Sequence, residues 1–174
     1  MPAHHQVFKQ NPIFGVGATM ILDAVQMGDD MTAHNAFVLC YTELGILGYW
    51  FWYSLIQLGI IGAWHARTAV DRQRPRTLEQ AWLRRFAGMS VAAMGGYCAS
   101  AYFLSRAFVY PMYFLFAILG AVPLVVSRTL PPGHPPLINI RRDLFLWCTV
   151  GAVFSILYIY FTIVLLNRVY YTGE

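Results

Sequence analysis

Four long apolar runs separated by polar stretches dominate the chain. They cover residues 36–64, 86–104, 107–126 and 144–166. A hydrocarbon core of about 30 Å takes about 20 helical residues to cross, so each run predicts a transmembrane helix. The first run is longer than this and is expected to tilt or to begin above the membrane. Tyr49, Trp50, Trp52 and Tyr53 lie in its middle. Belt aromatics sit at the ends of spans, so these four are expected to face other helices or a cavity. Residues 1–33 break the pattern. Asn11-Pro12 and Gly15-Val16-Gly17 read as turns. Thr19 to Met27 suits a short amphipathic helix lying at the interface, closed by Gly28-Asp29-Asp30. The pattern predicts an all-α fold, a polytopic transmembrane helix bundle of about four spans. Residues 1–35 form an extracytoplasmic segment and residues 36–174 the membrane domain.

The polar stretches predict the orientation. Residues 65–85 and 128–143 carry nine arginines, at 67, 72, 74, 76, 84, 85, 128, 141 and 142. Lys9, Arg106 and Arg168 fall on the opposite side. Basic residues in short loops stay in the cytoplasm. The N-terminal segment, the turn at Arg106 and the C-terminus are therefore expected outside, which in a bacterium means the periplasmic face of the inner membrane. Residues 1–33 lack the basic start, apolar stretch and small-residue cleavage site of a signal peptide. An N-terminus outside then predicts either N-out insertion of the first helix or helices upstream of this sequence.

Composition agrees with a lipid environment. Of 174 residues 58% are hydrophobic and 11% charged, with a mean hydropathy of +0.51, against about 25% charged in soluble domains. The net charge of +4 does not imply a nucleic-acid partner. The arginines punctuate apolar runs instead of lining a polar face. Cys40, Cys98 and Cys148 each lie inside an apolar run without a CxxC pair, so neither a disulfide framework nor a zinc site is expected. No cofactor is expected, because Gly15-Val16-Gly17 lacks the preceding strand and third glycine of a phosphate-cradling loop. Gly88, Ala92, Gly96 and Ser100 form a small-residue stripe on the second span, which predicts close contact with a neighbouring helix.

Candidate chemistry gathers at the outer start of the first span, at His34-Asn35. An imidazole titrates near neutrality and serves as a general base. Tyr41 follows His34 by seven residues and shares its helix face. Glu43 lies about 10 Å along the helix from Ala36, at ~1.5 Å per residue. A carboxylate at that depth should face the protein interior and find a partner. Arg106, at the outer turn, is the expected partner. His34 and Glu43 are nine residues apart and fall on opposite helix faces, so a dyad requires a break between them.

Two segments carry a resemblance. Asn11-Pro12-Ile13-Phe14-Gly15-Val16-Gly17 resembles the "PlfGvG" element of the bacterial O-antigen ligase and O-antigen polymerase group. Ala33-His34-Asn35-Ala36-Phe37, followed by Glu43-Leu44-Gly45-Ile46-Leu47-Gly48, resembles its "HN…ELGxxG" element. The likeness covers roughly residues 10–64. It implies a membrane glycosyltransferase of lipopolysaccharide or polysaccharide biosynthesis, moving glycan from an undecaprenyl-diphosphate carrier to an acceptor at the periplasmic face. His34 then takes the place of the base that activates the acceptor hydroxyl, with Asn35, Tyr41, Glu43 and Arg106 supporting it. Members of the group have ten or more spans, and their diphosphate-gripping arginines precede the HN element. Here Lys9 is the only lysine or arginine before His34. The chain is therefore expected to be a C-terminal portion of such an enzyme, inactive alone, whose partners are membrane lipid, the carrier-linked glycan and upstream helices. The alternative is a non-enzymatic accessory or assembly subunit of a larger membrane complex.

Overall fold

The computed structural model describes residues 13–15, 17, 35–103 and 110–171, with the backbone alone at 163 and 166–171. Among the described residues the chain forms four helices, α1 (Ala36–Asp71), α2 (Leu78–Phe103), α3 (Tyr110–Thr129) and α4 (Thr149–Tyr171). A π-helical segment, Ile140–Cys148, runs directly into α4. The fold is an all-α bundle of the polytopic membrane type, as the apolar runs predict. The stretches Ala36–Asp71, Tyr110–Thr129 and Ile140–Thr162 are each long and apolar enough to cross a membrane. The fourth helix, α2, is long enough, but its glycines, serines and tyrosines dilute its apolar content. Inward-facing and outward-facing side chains are both apolar: Val153, Phe154, Leu157 and Phe161 on α4 are all more than half exposed. Such a surface is suited to lipid.

The helices overrun the apolar runs. The polar stretch 65–85, expected as a loop, is helical except at 72–77. One reason is a capping box. Thr77 Oγ1 accepts from Gln80 N at 3.1 Å, and Gln80 Oε1 accepts from Thr77 N at 3.2 Å. The pair starts α2 eight residues before its apolar run. Arg76 closes the end of α1 by donating to the Val70 and Asp71 carbonyls. Asp71 pairs with both Arg76 and Arg84. The expected interfacial helix at 19–27 lies outside the described residues.

The central element is α1, which packs against α2, α3, the π segment and α4. Its close approach to α3 runs through glycines. A Cβ at Gly59 would meet Leu119 at 3.0 Å, and one at Gly62 would meet Ile138 at 3.0 Å and Pro123 at 3.3 Å. Ala63, Ala66 and Ala69 continue this buried strip. Of the stripe expected on α2, Gly88 approaches α1, where a Cβ would meet the Arg67 guanidinium at 3.1 Å, but the rest of it finds no neighbour within the chain. Ala92, Gly96 and Ser100 are exposed, and Gly96 has nothing within contact distance of a Cβ. The buried face of α2 carries Leu83, Ala87, Ser90, Met94 and Ala101 instead. Small residues permit close packing, but which face finds a partner is decided by the larger side chains around the helix.

Lipid offers little hydrophobic drive for helix association, so polar contacts matter. Three tie α1 to the last helical stretch. Tyr49 Oη and Ser155 Oγ lie 2.6 Å apart, Trp50 Nε1 donates to Thr149 Oγ1 at 3.0 Å, and Gln57 Nε2 donates to the Trp147 carbonyl at 3.1 Å. The central aromatics thus face the protein, as expected. Tyr49 and Trp52 are buried, and Tyr53 stacks on Tyr49 at 5.8 Å. The three cysteines are free thiols.

Both arginine-bearing connections lie at one end of the bundle. Gln80 at the start of α2 donates to the Thr129 carbonyl at the end of α3, at 2.8 Å. His65 near the end of α1 bonds the Leu137 carbonyl at 2.8 Å.

Candidate functional site

At the opposite end of α1 the two motif segments meet. Asn35 is extended (φ −148°, ψ 112°) and caps α1. Its Oδ1 accepts from Phe37 N at 2.9 Å and Val38 N at 3.4 Å. The second residue of the His-Asn pair therefore starts the helix, satisfying amides that have no intrahelical partner.

The helix then breaks at Gly45, where φ is 67° and ψ is −173°. That conformation is populated almost only by glycine. In a continuous helix the Leu47 amide would donate to the Glu43 carbonyl. Here each half of that bond is taken up by the segment around Gly15. Gly17 N donates to the Glu43 carbonyl at 3.0 Å, and Leu47 N donates to the Ile13 carbonyl at 3.3 Å. A backbone break at membrane depth is tolerated only where its polar groups find partners within the protein.

The contact is backbone against backbone. Gly15 also has a positive φ, 71°. A Cβ on Gly15 would collide with the Glu43 carbonyl, and one on Gly45 would collide with the Ile13 carbonyl. The glycines of the two motifs therefore explain each other. Neither segment can hold this geometry with a side chain at that position.

The candidate residues stand as follows. Glu43 is buried, at 3% exposure, as its depth in the membrane predicts. Its main-chain carbonyl forms one half of the junction. Tyr41 is half-buried and meets Tyr49 edge to face at 5.7 Å. His34 and Arg106 lie outside the described residues, and with them the expected Glu43–Arg106 contact. Residues 36–44 are helical and the break comes only at Gly45. Asn35, which separates His34 from α1, is extended, so the opposite-face spacing expected for His34 and Glu43, which assumes one helix through both, does not apply. Among the described residues no group of three or more His, Cys, Asp and Glu side chains gathers where it could hold a metal ion.

No protein-family model, curated protein or solved structure matches the chain. The likeness to O-antigen ligases and polymerases rests on the motif residues alone.

Sequence reasoning read both motif elements but not their contact. The signal was available in Gly15, Gly17 and Gly45, three glycines in two short segments. What it lacked was the direction of the chain between them.

Proposed function

We propose that the chain is the C-terminal part of an O-antigen ligase- or polymerase-like glycosyltransferase, which moves glycan from an undecaprenyl-diphosphate carrier to an acceptor at the periplasmic face of a bacterial inner membrane. The junction of Ile13–Gly17 with the break at Gly45 supports this reading. Two segments that resemble separate elements of one family form a single hydrogen-bonded unit at the mouth of α1. His34 lies directly before the cap of that helix, where a base would meet a hydroxyl at the membrane surface. In this reading the nine arginines lie in the cytoplasm and the junction lies outside. The diphosphate clamp and the remaining spans come from other helices of the enzyme, and this part is inactive alone.

A second reading has one observation in its favour. The stripe of Ala92, Gly96 and Ser100 and the apolar face of α4 are exposed, as surfaces for docking other membrane subunits would be. The accessory-subunit reading needs no catalysis at His34. One experiment separates the two. His34→Ala, introduced into the full-length protein, should abolish glycan transfer in membranes while the protein level stays unchanged. Transfer at the wild-type rate refutes the enzymatic reading.

A further inference from the structure

We infer that the arginine end of the bundle holds one anionic phospholipid, with its phosphate between Arg72 and Arg142 and an acyl chain in the cleft between α1 and the π segment. This inference is independent of the glycosyltransferase reading, because it concerns the other end of the molecule.

A cavity of about 360 Å³ opens there. Its floor is one face of the last turns of α1, with His65, Thr68 and Arg72 at spacings of three and four. Its far wall carries His134, Asn139 and Arg142. The charges around it are unevenly committed. Asp71 is taken by Arg76 and Arg84, and Arg72 has no ion pair among the described residues. Asp143, fully buried, accepts from Arg142 Nε at 2.8 Å and from Asn139 N at 2.7 Å. Asp143 lies 3.9 Å from His65 Nδ1. With both imidazoles neutral, two guanidiniums and one carboxylate leave the site at +1, which balances the single charge of a phosphodiester.

The histidines are oriented to help. A carbonyl oxygen only accepts, so the 2.8 Å bond from His65 Nδ1 to Leu137 places the proton on Nδ1. The same holds for His134, whose Nδ1 lies 2.7 Å from the Pro135 carbonyl. Nε2 of each neutral ring is then an acceptor, which suits a headgroup hydroxyl and not a phosphate oxygen, so the phosphate itself is held by the two guanidiniums.

A second cavity, of about 450 Å³, shares His65 and Arg142 with the first. It runs past Ile61 to Gln57 and Trp147, two turns further into the bundle, or about 12 Å. A charged chamber opening into a cleft walled by Ile61 and Trp147, with Gln57 at its inner end, has the shape of a phospholipid. Inorganic phosphate would fill only the chamber. The level fits too. Trp64 and Trp82, each more than half exposed, lie within two turns of this end, where aromatic residues mark the headgroup region. Basic pockets between helices at that level bind anionic headgroups.

The test titrates the purified full chain, in neutral detergent, with phosphatidylglycerol, counting bound lipid by native mass spectrometry. One tightly held lipid per chain is expected, with phosphatidylcholine failing to replace it and inorganic phosphate in large excess failing to displace it. Arg72 is exposed, so Arg72→Gln should leave the fold intact and weaken binding about fivefold, whereas Arg85→Gln, outside the cavity, should change it less than about twofold. Ile61→Trp should block the cleft and lower lipid occupancy. Equal losses from Arg72→Gln and Arg85→Gln would mean diffuse surface attraction and overturn the site. Displacement by inorganic phosphate, or binding unaffected by Ile61→Trp, would overturn the lipid as its occupant.

Discussion

Replacing Gly45 with alanine tests whether the junction is held by glycine geometry. In the native backbone, alanine at φ 67° and ψ −173° would carry about 1–3 kcal/mol of strain. Its Cβ would also strike the Ile13 carbonyl. One response keeps the break and expels the loop, leaving Glu43 O and Leu47 N without partners. At about 1–3 kcal/mol for each buried group, that route costs several kcal/mol. The other response closes the helix. Leu47 N then returns to Glu43 O, and alanine is favoured over glycine in a helix interior by about 1 kcal/mol. Only Gly17 N and Ile13 O lose their bonds, at about 0.5–1.5 kcal/mol net each where water replaces them.

Helix closure is the cheaper response, so a large structural change should accompany a small loss of stability. Unfolding in mixed micelles should report less than about 2 kcal/mol, by the same arithmetic. Hydrogen exchange should show Leu47 still protected and Gly17 newly exposed. Gly15→Ala should release the same loop, because its Cβ meets the Glu43 carbonyl. The double variant should then cost less than the sum of the singles, since both remove one interaction. Additive losses, or a Gly17 amide that stays protected in Gly45→Ala, would refute the reasoning.

Other substitutions address the rest of the bundle. Thr77→Ala removes half of the capping box that starts α2 and should cost about 1 kcal/mol in unfolding measurements. Tyr49→Phe deletes the 2.6 Å contact with Ser155 and should cost about 0.6 kcal/mol, rising to about 1.7 at most. The Ser155 hydroxyl can turn to its own helix, so Ser155→Ala on top of Tyr49→Phe should add little.

Hydropathy located the membrane-spanning part of the fold well and the helix ends poorly. Over the described residues the four apolar runs lie within or along the observed helices. Yet α1 extends to Asp71 and α2 begins at Leu78, well into stretches read as polar loop. Hydropathy reports where a helix meets lipid, whereas caps and hydrogen bonds decide where it ends. The Thr77-Leu78-Glu79-Gln80 capping box was legible and would have moved the start of α2. The stripe on α2 was legible as composition but not as direction, and Gly59 and Gly62 on α1 make the close contact instead. The pairing of Gln57 with Trp147, 90 residues apart, has no local signature. Neither does the burial of Asp143, which reads in the sequence as the end of an exposed loop.

The motif residues at the mouth of α1 divide into two kinds. Asn35 caps the helix, and Gly15, Gly17 and Gly45 build the backbone junction. Each of these has a structural reason that holds whether or not any chemistry occurs nearby. Their presence therefore accounts for the local architecture and does not by itself argue for a reaction. The chemical reading depends on His34, and two variants of the full-length protein isolate it. His34→Ala removes a base and leaves the junction's glycines in place. Gly45→Ala keeps the base and releases the loop. If the junction exists to position a catalytic group, both should lose transfer, with His34→Ala losing it at unchanged stability. If the junction only secures the helix against its own break, Gly45→Ala should alter hydrogen exchange while transfer continues.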